Sequence, residues 1–174
     1  MATSGCGHAE VPPGPVASGG PDTPLCAPAE RGYLKARLRG AIDADLDWSS
    51  GVPQCRGGLR PGGDGVRLLY KGTDANRQPL LLVFGAGPLH AGESARNVPV
   101  NLTVVREGSG QFFATQGPDK CALDEVRQQP VPAHEGQYLL TARGYCTQPA
   151  RAVGTAGAVL LSRFDLEAIV DFRP

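Results

Sequence analysis

No stretch of this 174-residue chain approaches the roughly 20 consecutive apolar residues that a membrane-spanning helix requires. A transmembrane segment is therefore not expected. An excess of either charge is missing as well, because 17 Lys and Arg balance 17 Asp and Glu. Phosphate backbones and anionic lipid surfaces select a basic excess, so nucleic acid and a polybasic membrane contact are both excluded as expected partners. No CxxC pair marks a zinc ribbon or a thioredoxin-like redox site. No GxxxxGK[ST] loop offers a phosphate cradle, and no GxSxG turn offers a nucleophilic serine. The nearest approach to the latter, Glu107-Gly108-Ser109-Gly110, reads as a hairpin tip. Nothing in the pattern implies a cofactor. Aromatic residues are scarce, at 6%, so covalent cross-links would matter to stability.

The chain does have punctuation: 24 Gly and 16 Pro suit a fold of short segments and turns better than one of long helices. Residues 1–29 contain Pro12, Pro13, Pro15, Pro21, Pro24 and Pro28 with several glycines and no apolar period. Such a segment cannot pack, and it reads as a flexible, partly extended tether to a single β domain over 30–174. Within the tether, Thr3-Ser4-Gly5-Cys6 resembles the end of a bacterial lipoprotein signal, with Thr3 where such signals usually carry Leu. The resemblance implies lipidation at Cys6 and an extracytoplasmic protein, either periplasmic or membrane-anchored, in a bacterium.

The clearest structural signal lies between Leu34 and Trp48. Leu34, Ala36, Leu38, Gly40, Ile42, Ala44, Leu46 and Trp48 alternate with Lys35, Arg37, Arg39, Asp43, Asp45 and Asp47. Period two places one face in a core and the other in water. A single strand of this length would reach roughly 50 Å, so a break near Gly40 is expected, with the chain passing from one sheet to another. Further strands are predicted at Val66 to Lys71 and from Gln78 to Gly85, the latter apolar on both faces and so central. Val98 to Val104 and Gln111 to Thr115 form a hairpin pattern, and Gln137 to Cys146 follows. The last and second long strand runs from Ala158 to Phe172, with Ala158, Leu160, Ser162, Phe164, Leu166, Ala168, Val170 and Phe172 on one face. Arg56 to Gly65 reads as a glycine-rich loop, and 116–136 as irregular apart from a helical turn over Asp124 to Gln129. The expectation is an all-β fold, an antiparallel β-sandwich or small β-barrel of about eight strands with long first and last strands. Its core should contain Leu34, Leu38, Ile42, Leu46, Trp48, Leu82, Phe84, Val100, Leu102, Leu140, Phe164, Leu166 and Val170.

With Cys6 assigned to an anchor, Cys26, Cys55, Cys121 and Cys146 remain to pair. Four cysteines admit three connectivities. The expected one joins Cys121 to Cys146 and Cys26 to Cys55, each closing a loop worth about 3.5 kcal/mol in chain entropy.

Candidate binding residues are few. Asp43, Asp45 and Asp47 begin like an EF-hand loop, but Trp48 stands where its sixth-position glycine belongs and Gln54 where its last Glu belongs. Three like charges about 7 Å apart nevertheless invite a counter-ion, and they are the candidate metal ligands. Arg56, Arg60 and Asp64 in the glycine-rich loop are the candidate ligand contacts. His90 and His134, with Glu93 and Glu135, have the ligand types of a metal site without its spacing. The leading expectation is an extracytoplasmic binding or interaction module of the cell envelope, its partner an envelope protein or a small molecule. The alternative is a secreted hydrolase or metal-dependent enzyme using these acids or His90 and His134. A flat exposed apolar patch would favour the binder, and a clustered His/Asp/Glu set the enzyme.

Overall fold

The computed structural model describes residues 32–49, 54–62 and 64–173, with the backbone alone at 54–56. The expected tether, the expected anchor at Cys6 and the expected Cys26–Cys55 pairing lie outside the described residues. Eleven strands follow in order: β1 (Tyr33–Gly40), β2 (Ala44–Trp48), β3 (Gln54–Leu59), β4 (Val66–Thr73), β5 (Pro79–Ala86), β6 (Ala95–Arg106), β7 (Gln111–Ala114), β8 (Cys121–Pro130), β9 (Gln137–Cys146), β10 (Ala150–Ala152) and β11 (Ala158–Asp171). The fold is all-β, as the turn-rich composition leads one to expect, with more and shorter strands than the eight anticipated.

The first alternating segment does break at Gly40, but the chain reverses there and does not cross to a second sheet. Leu34 faces Trp48, Ala36 faces Leu46 and Leu38 faces Ala44 in an antiparallel hairpin. Gly40 has φ +115, and a Cβ there would run into the Ala158 carbonyl of β11, so only glycine fits this corner. Gly40 and Ala41 are exposed at the turn, and alternation resumes in the same phase at Ile42 because the hairpin pairs even positions with even ones.

β6 and β11 are the corners of the architecture. One edge of β6 pairs with β5, while its other edge pairs first with β8 and then with β7. One edge of β11 pairs with β1 and, near its end, with β3, while the other pairs with β10 and then β9. A ring therefore closes through β3-β4-β5-β6-β8-β9-β11, and a second layer runs β6-β7-β10-β11-β1-β2. All pairings are antiparallel except β3 with β11, which is parallel over two residue pairs, Val170 with Gly57 and Asp171 with Gly58. Gly57 permits this closure: a Cβ there would stand 2.5 Å from the Ile169 carbonyl oxygen and 2.9 Å from Val170 Cγ2. The first part of the expected glycine-rich loop, Arg56 to Leu59, is thus strand, followed by a turn in which the Arg60 N–H donates to the Gly65 carbonyl.

All thirteen residues expected in the core are buried in one apolar cluster. Phe84 lies at its centre, edge-on to Tyr70 at 6.0 Å and tilted against Phe164 at 5.0 Å. Tyr70 is fully buried and donates its hydroxyl proton to the Glu167 carbonyl at 2.9 Å, and burial raises its pKa well above the usual phenol value. Aliphatic and aromatic side chains fill the interior, as in small barrels.

Two bulges account for two misread segments. In β8 the pairing with β9 slips between Leu123 and Glu125, so burial falls on Cys121, Leu123 and then Val126. That extra residue breaks period two and imitates a helical turn, whereas Asp124 to Gln129 is strand. In β11 a slip beside Ser162 shifts the phase, so Val159 and Leu161 face inward in place of Ala158 and Leu160, while Phe164 onward keeps the expected facing. Between β8 and β9, Cys121 and Cys146 are directly opposed and joined by a disulfide. The expected Cys121–Cys146 pairing is thus present, and it links neighbouring strands because the segment around Cys121 is strand.

Candidate interaction surface

Outward-facing residues divide the molecule into two contrasting faces. On the first, strand register aligns Arg96 of β6, Glu125 of β8, Arg143 of β9, Asp165 of β11, Lys35 of β1 and Asp47 of β2 in one row, each directly opposite the next. Charge alternates in sign at every step. Glu125 is clamped between Arg143 at 2.8 Å and Arg127 at 2.7 Å, and these hydrogen bonds hold its pKa below the usual carboxylate value. Tyr33, beside this row, is pushed up by partial burial and by Glu167 and Asp165. A shallow groove of about 750 Å³ runs between Arg96, Glu125, Arg143, Tyr145 and Asp165.

Asp43, Asp45 and Asp47 belong to the same face. Each stands by a cation of β1: Lys35 is 3.5 Å from Asp47, Arg37 is 3.3 Å from Asp45, and Arg39 is 3.4 Å from Asp43 and 2.8 Å from Asp45. Asp45 and Asp47 lie along β2 with Asp43 just before it, and each carboxylate is paired with β1 cations, Asp43 and Asp45 sharing Arg39. Among the described residues no group of three or more His, Cys, Asp and Glu is placed to hold a metal ion. Opposite charges facing each other across the β1–β2 hairpin stabilise its register.

His90 and His134 sit in separate exposed loops. His134 Nδ1 lies 3.0 Å from the Pro132 carbonyl oxygen, and the His90 backbone carbonyl accepts from Gln128 Nε2 at 2.9 Å. Gln128 also donates to the Glu93 carbonyl and accepts from the Gly92 N–H, so one β8 side chain anchors the whole 87–94 loop. Both histidines are exposed.

The second face, across β4, β5, β6, β7 and β10, has the opposite character. Its outer positions form one row of Lys71, Leu81, Val105 and Phe112, which the Val153 N–H extends by donating to the Phe112 carbonyl at 2.8 Å. A second row contains Leu69, Val83, Thr103, Ala114 and Arg151. Phe112 and Val153 are 42% and 60% exposed, among the few large apolar side chains that the fold leaves open. Leu69, Leu81, Val83 and Val105 are half-buried beside them. At strand spacing the two rows, Lys71, Thr103 and Arg151 included, cover about 20 Å by 15 Å, an extent comparable with the largest apolar patch of an ordinary monomer, which is often functional. At the rim Lys71 pairs with Glu107 at 3.0 Å.

This surface was not singled out from sequence, although its central signal was visible. The run Leu80 to Phe84 is apolar at every position, which was taken to mean cover on both faces. Leu80, Leu82 and Phe84 do face the core, while Leu81 and Val83 face outward with no described element above them. Of the residues expected to contact ligand, Arg60 and Asp64 lie at the turn after β3, at the edge of this face, and Arg56 is within β3. Comparison with known protein families, with curated proteins and with solved structures finds no match to this chain.

Proposed function

We propose that this is an extracytoplasmic interaction module that docks an envelope protein on the apolar outer face of β4, β5, β6, β7 and β10, with the N-terminal segment as its tether and Cys6 as a lipid anchor. The observation that carries the reading is the contiguous row Leu81, Val105, Phe112 and Val153. Leaving these side chains in water costs about 25 cal/mol per Å² of apolar surface relative to covering them, and exposed apolar area of this extent characterises recognition surfaces. The Cys121–Cys146 disulfide supports an oxidising location. Among the described residues no helix is long and apolar enough to cross a membrane. The charged face, with its acids and bases in shared ion pairs, suits a solvated exterior.

The reading is tested with a photo-crosslinking residue placed in turn at Phe112, at Val153 and, on the charged face, at Arg37 in cells that make the protein. One discrete adduct from Phe112 and Val153, absent from Arg37 and lost when Val105→Asp is added to the Phe112 probe, is the expected result. Equal labelling from both faces, or no adduct from Phe112, refutes the assignment.

A further inference from the structure

The apolar rows are bordered, one step further along the same strands, by a row of different composition: Gly58 of β3, Arg67 of β4, Gly85 of β5 and Asn101 of β6, each opposite the next. With no side chain at Gly85, a shelf opens between Arg67 and Asn101. Arg60 lies over it, with Nε 3.8 Å and Cζ 3.9 Å from where a Cβ on Gly85 would stand, and Nη1 3.4 Å from the equivalent point on Gly87. Neither Arg60 nor Arg67 forms an ion pair or side-chain hydrogen bond among the described residues, a state they share with Arg77, Arg96, Arg151 and Arg163, while Lys35, Arg37, Arg39, Lys71, Lys120, Arg127, Arg143 and Arg173 have carboxylate partners. Asn101 Oδ1, alongside, is buried without a hydrogen-bond partner. The Arg60 guanidinium lies over a glycine floor, Arg67 holds the register position opposite Gly85 on the exposed face, and the Asn101 amide, whose buried Oδ1 has no partner, can donate through Nδ2 once it turns. An oxyanion is the chemical complement of that arrangement.

We propose that Arg60, Arg67 and Asn101 form an oxyanion-binding shelf over Gly85, and that it receives a carboxylate of the protein docked on the adjoining apolar rows. The second half of this proposal rests on the docking reading above, while the shelf itself does not. The partner segment would then pair an apolar stretch with an acidic residue at one end, and the shelf would fix the direction in which it lies across the strands.

The test uses the whole chain and inorganic sulfate as the probe, followed by amide and arginine side-chain NMR at constant ionic strength against chloride. Saturable shifts at Gly85, Gly87, the Asn101 side-chain amide and the Arg60 Nε–H are expected, weakened at least tenfold in the Arg60→Gln, Arg67→Gln double variant. Both arginines are on the outer surface, and an unchanged thermal midpoint checks that the variant folds. Shifts no larger with sulfate than with chloride, or retained in the double variant, overturn the shelf. A second arm repeats the Phe112 crosslink in the double variant, where adduct yield should fall several-fold. Sulfate binding with undiminished adduct would overturn the link between shelf and partner. Sulfate binding with no adduct in the wild type would overturn the docking reading and leave the oxyanion site standing.

Discussion

Replacing Gly57 by Ala should destabilise the domain by about 3 kcal/mol, while the same change one residue later, at Gly58, should be neutral or slightly favourable. The contrast follows from what each new methyl group would meet. At Gly57 it would stand 2.5 Å from the Ile169 carbonyl oxygen and 3.1 Å from Val170 Cα, backbone atoms held by the β9–β11 ladder, so β3 must retreat. Overpacking against an unyielding wall costs about 1–3 kcal/mol. Retreat would also weaken the two-residue parallel pairing with β11, at about 1 kcal/mol for each hydrogen bond lost. At Gly58 the nearest atom is the Asp171 carbonyl oxygen at 3.9 Å, which is ordinary contact. There, the reduced entropy of the unfolded chain should contribute about 0.5 kcal/mol of stability. Thermal unfolding distinguishes the two, since at about 3–4 °C per kcal/mol for a domain of this size Gly57→Ala should lower the midpoint by about 10 °C. If both variants melted with the wild type, ring closure through β3 and β11 would be refuted. If both fell equally, the steric account would be.

Other consequences are open to measurement. Leu166 is fully buried opposite Leu34, so Leu166→Asp should cost about 4 kcal/mol or more, and a urea midpoint equal to the wild type would show that β11 faces otherwise. Replacing both Cys121 and Cys146 by Ala should remove about 3.5 kcal/mol, and non-reducing peptide mapping of the wild type should recover the two peptides joined. Asp171 is held well below the usual carboxylate pKa, chiefly by hydrogen bonds from the Arg173 side chain, with the Arg173 N–H and Gln137 adding to the effect. Because its folded pKa is depressed, its contribution is complete above the unfolded value of about 4 and is lost as pH falls below it. Acid titration of stability should therefore be flatter in Asp171→Asn than in the wild type, and identical slopes would contradict the pairing.

Much of the architecture can be read from period-two alternation, and the failures are local. From Leu34 to Trp48 the pattern identified every inward residue, because a hairpin that pairs even with even leaves facing unchanged. The same rule failed at Asp124 and Ser162, where one extra residue inverts the phase and no local composition announces it. β3 was hidden for another reason. Its glycines look like a loop, and their purpose is visible only against β11, which lies far along the chain. For the surface, the signal at Leu81 and Val83 was present but ambiguous: a doubly apolar strand implies that something covers both faces, and sequence does not say whether that cover belongs to the same chain. The oxyanion shelf was legible only as a few charged residues near glycines, since Arg67 and Asn101 join Arg60 through strand register alone.

The position of β11 has a consequence for how the chain acquires its structure. This strand comes last in the described chain, yet it pairs with β1, the first, and also with β3, β9 and β10. Until it emerges from the ribosome, β1 and β9 each lack a neighbour along one edge, and the ring has no closing member. Native structure must then wait for contacts between opposite ends of the chain, and such high contact order slows folding. A chain exported during or soon after synthesis would thus reach the translocation machinery still open, with its cysteines reduced and unpaired. Cys121 and Cys146 would meet only on the far side, where pairing of β8 with β9 brings them together.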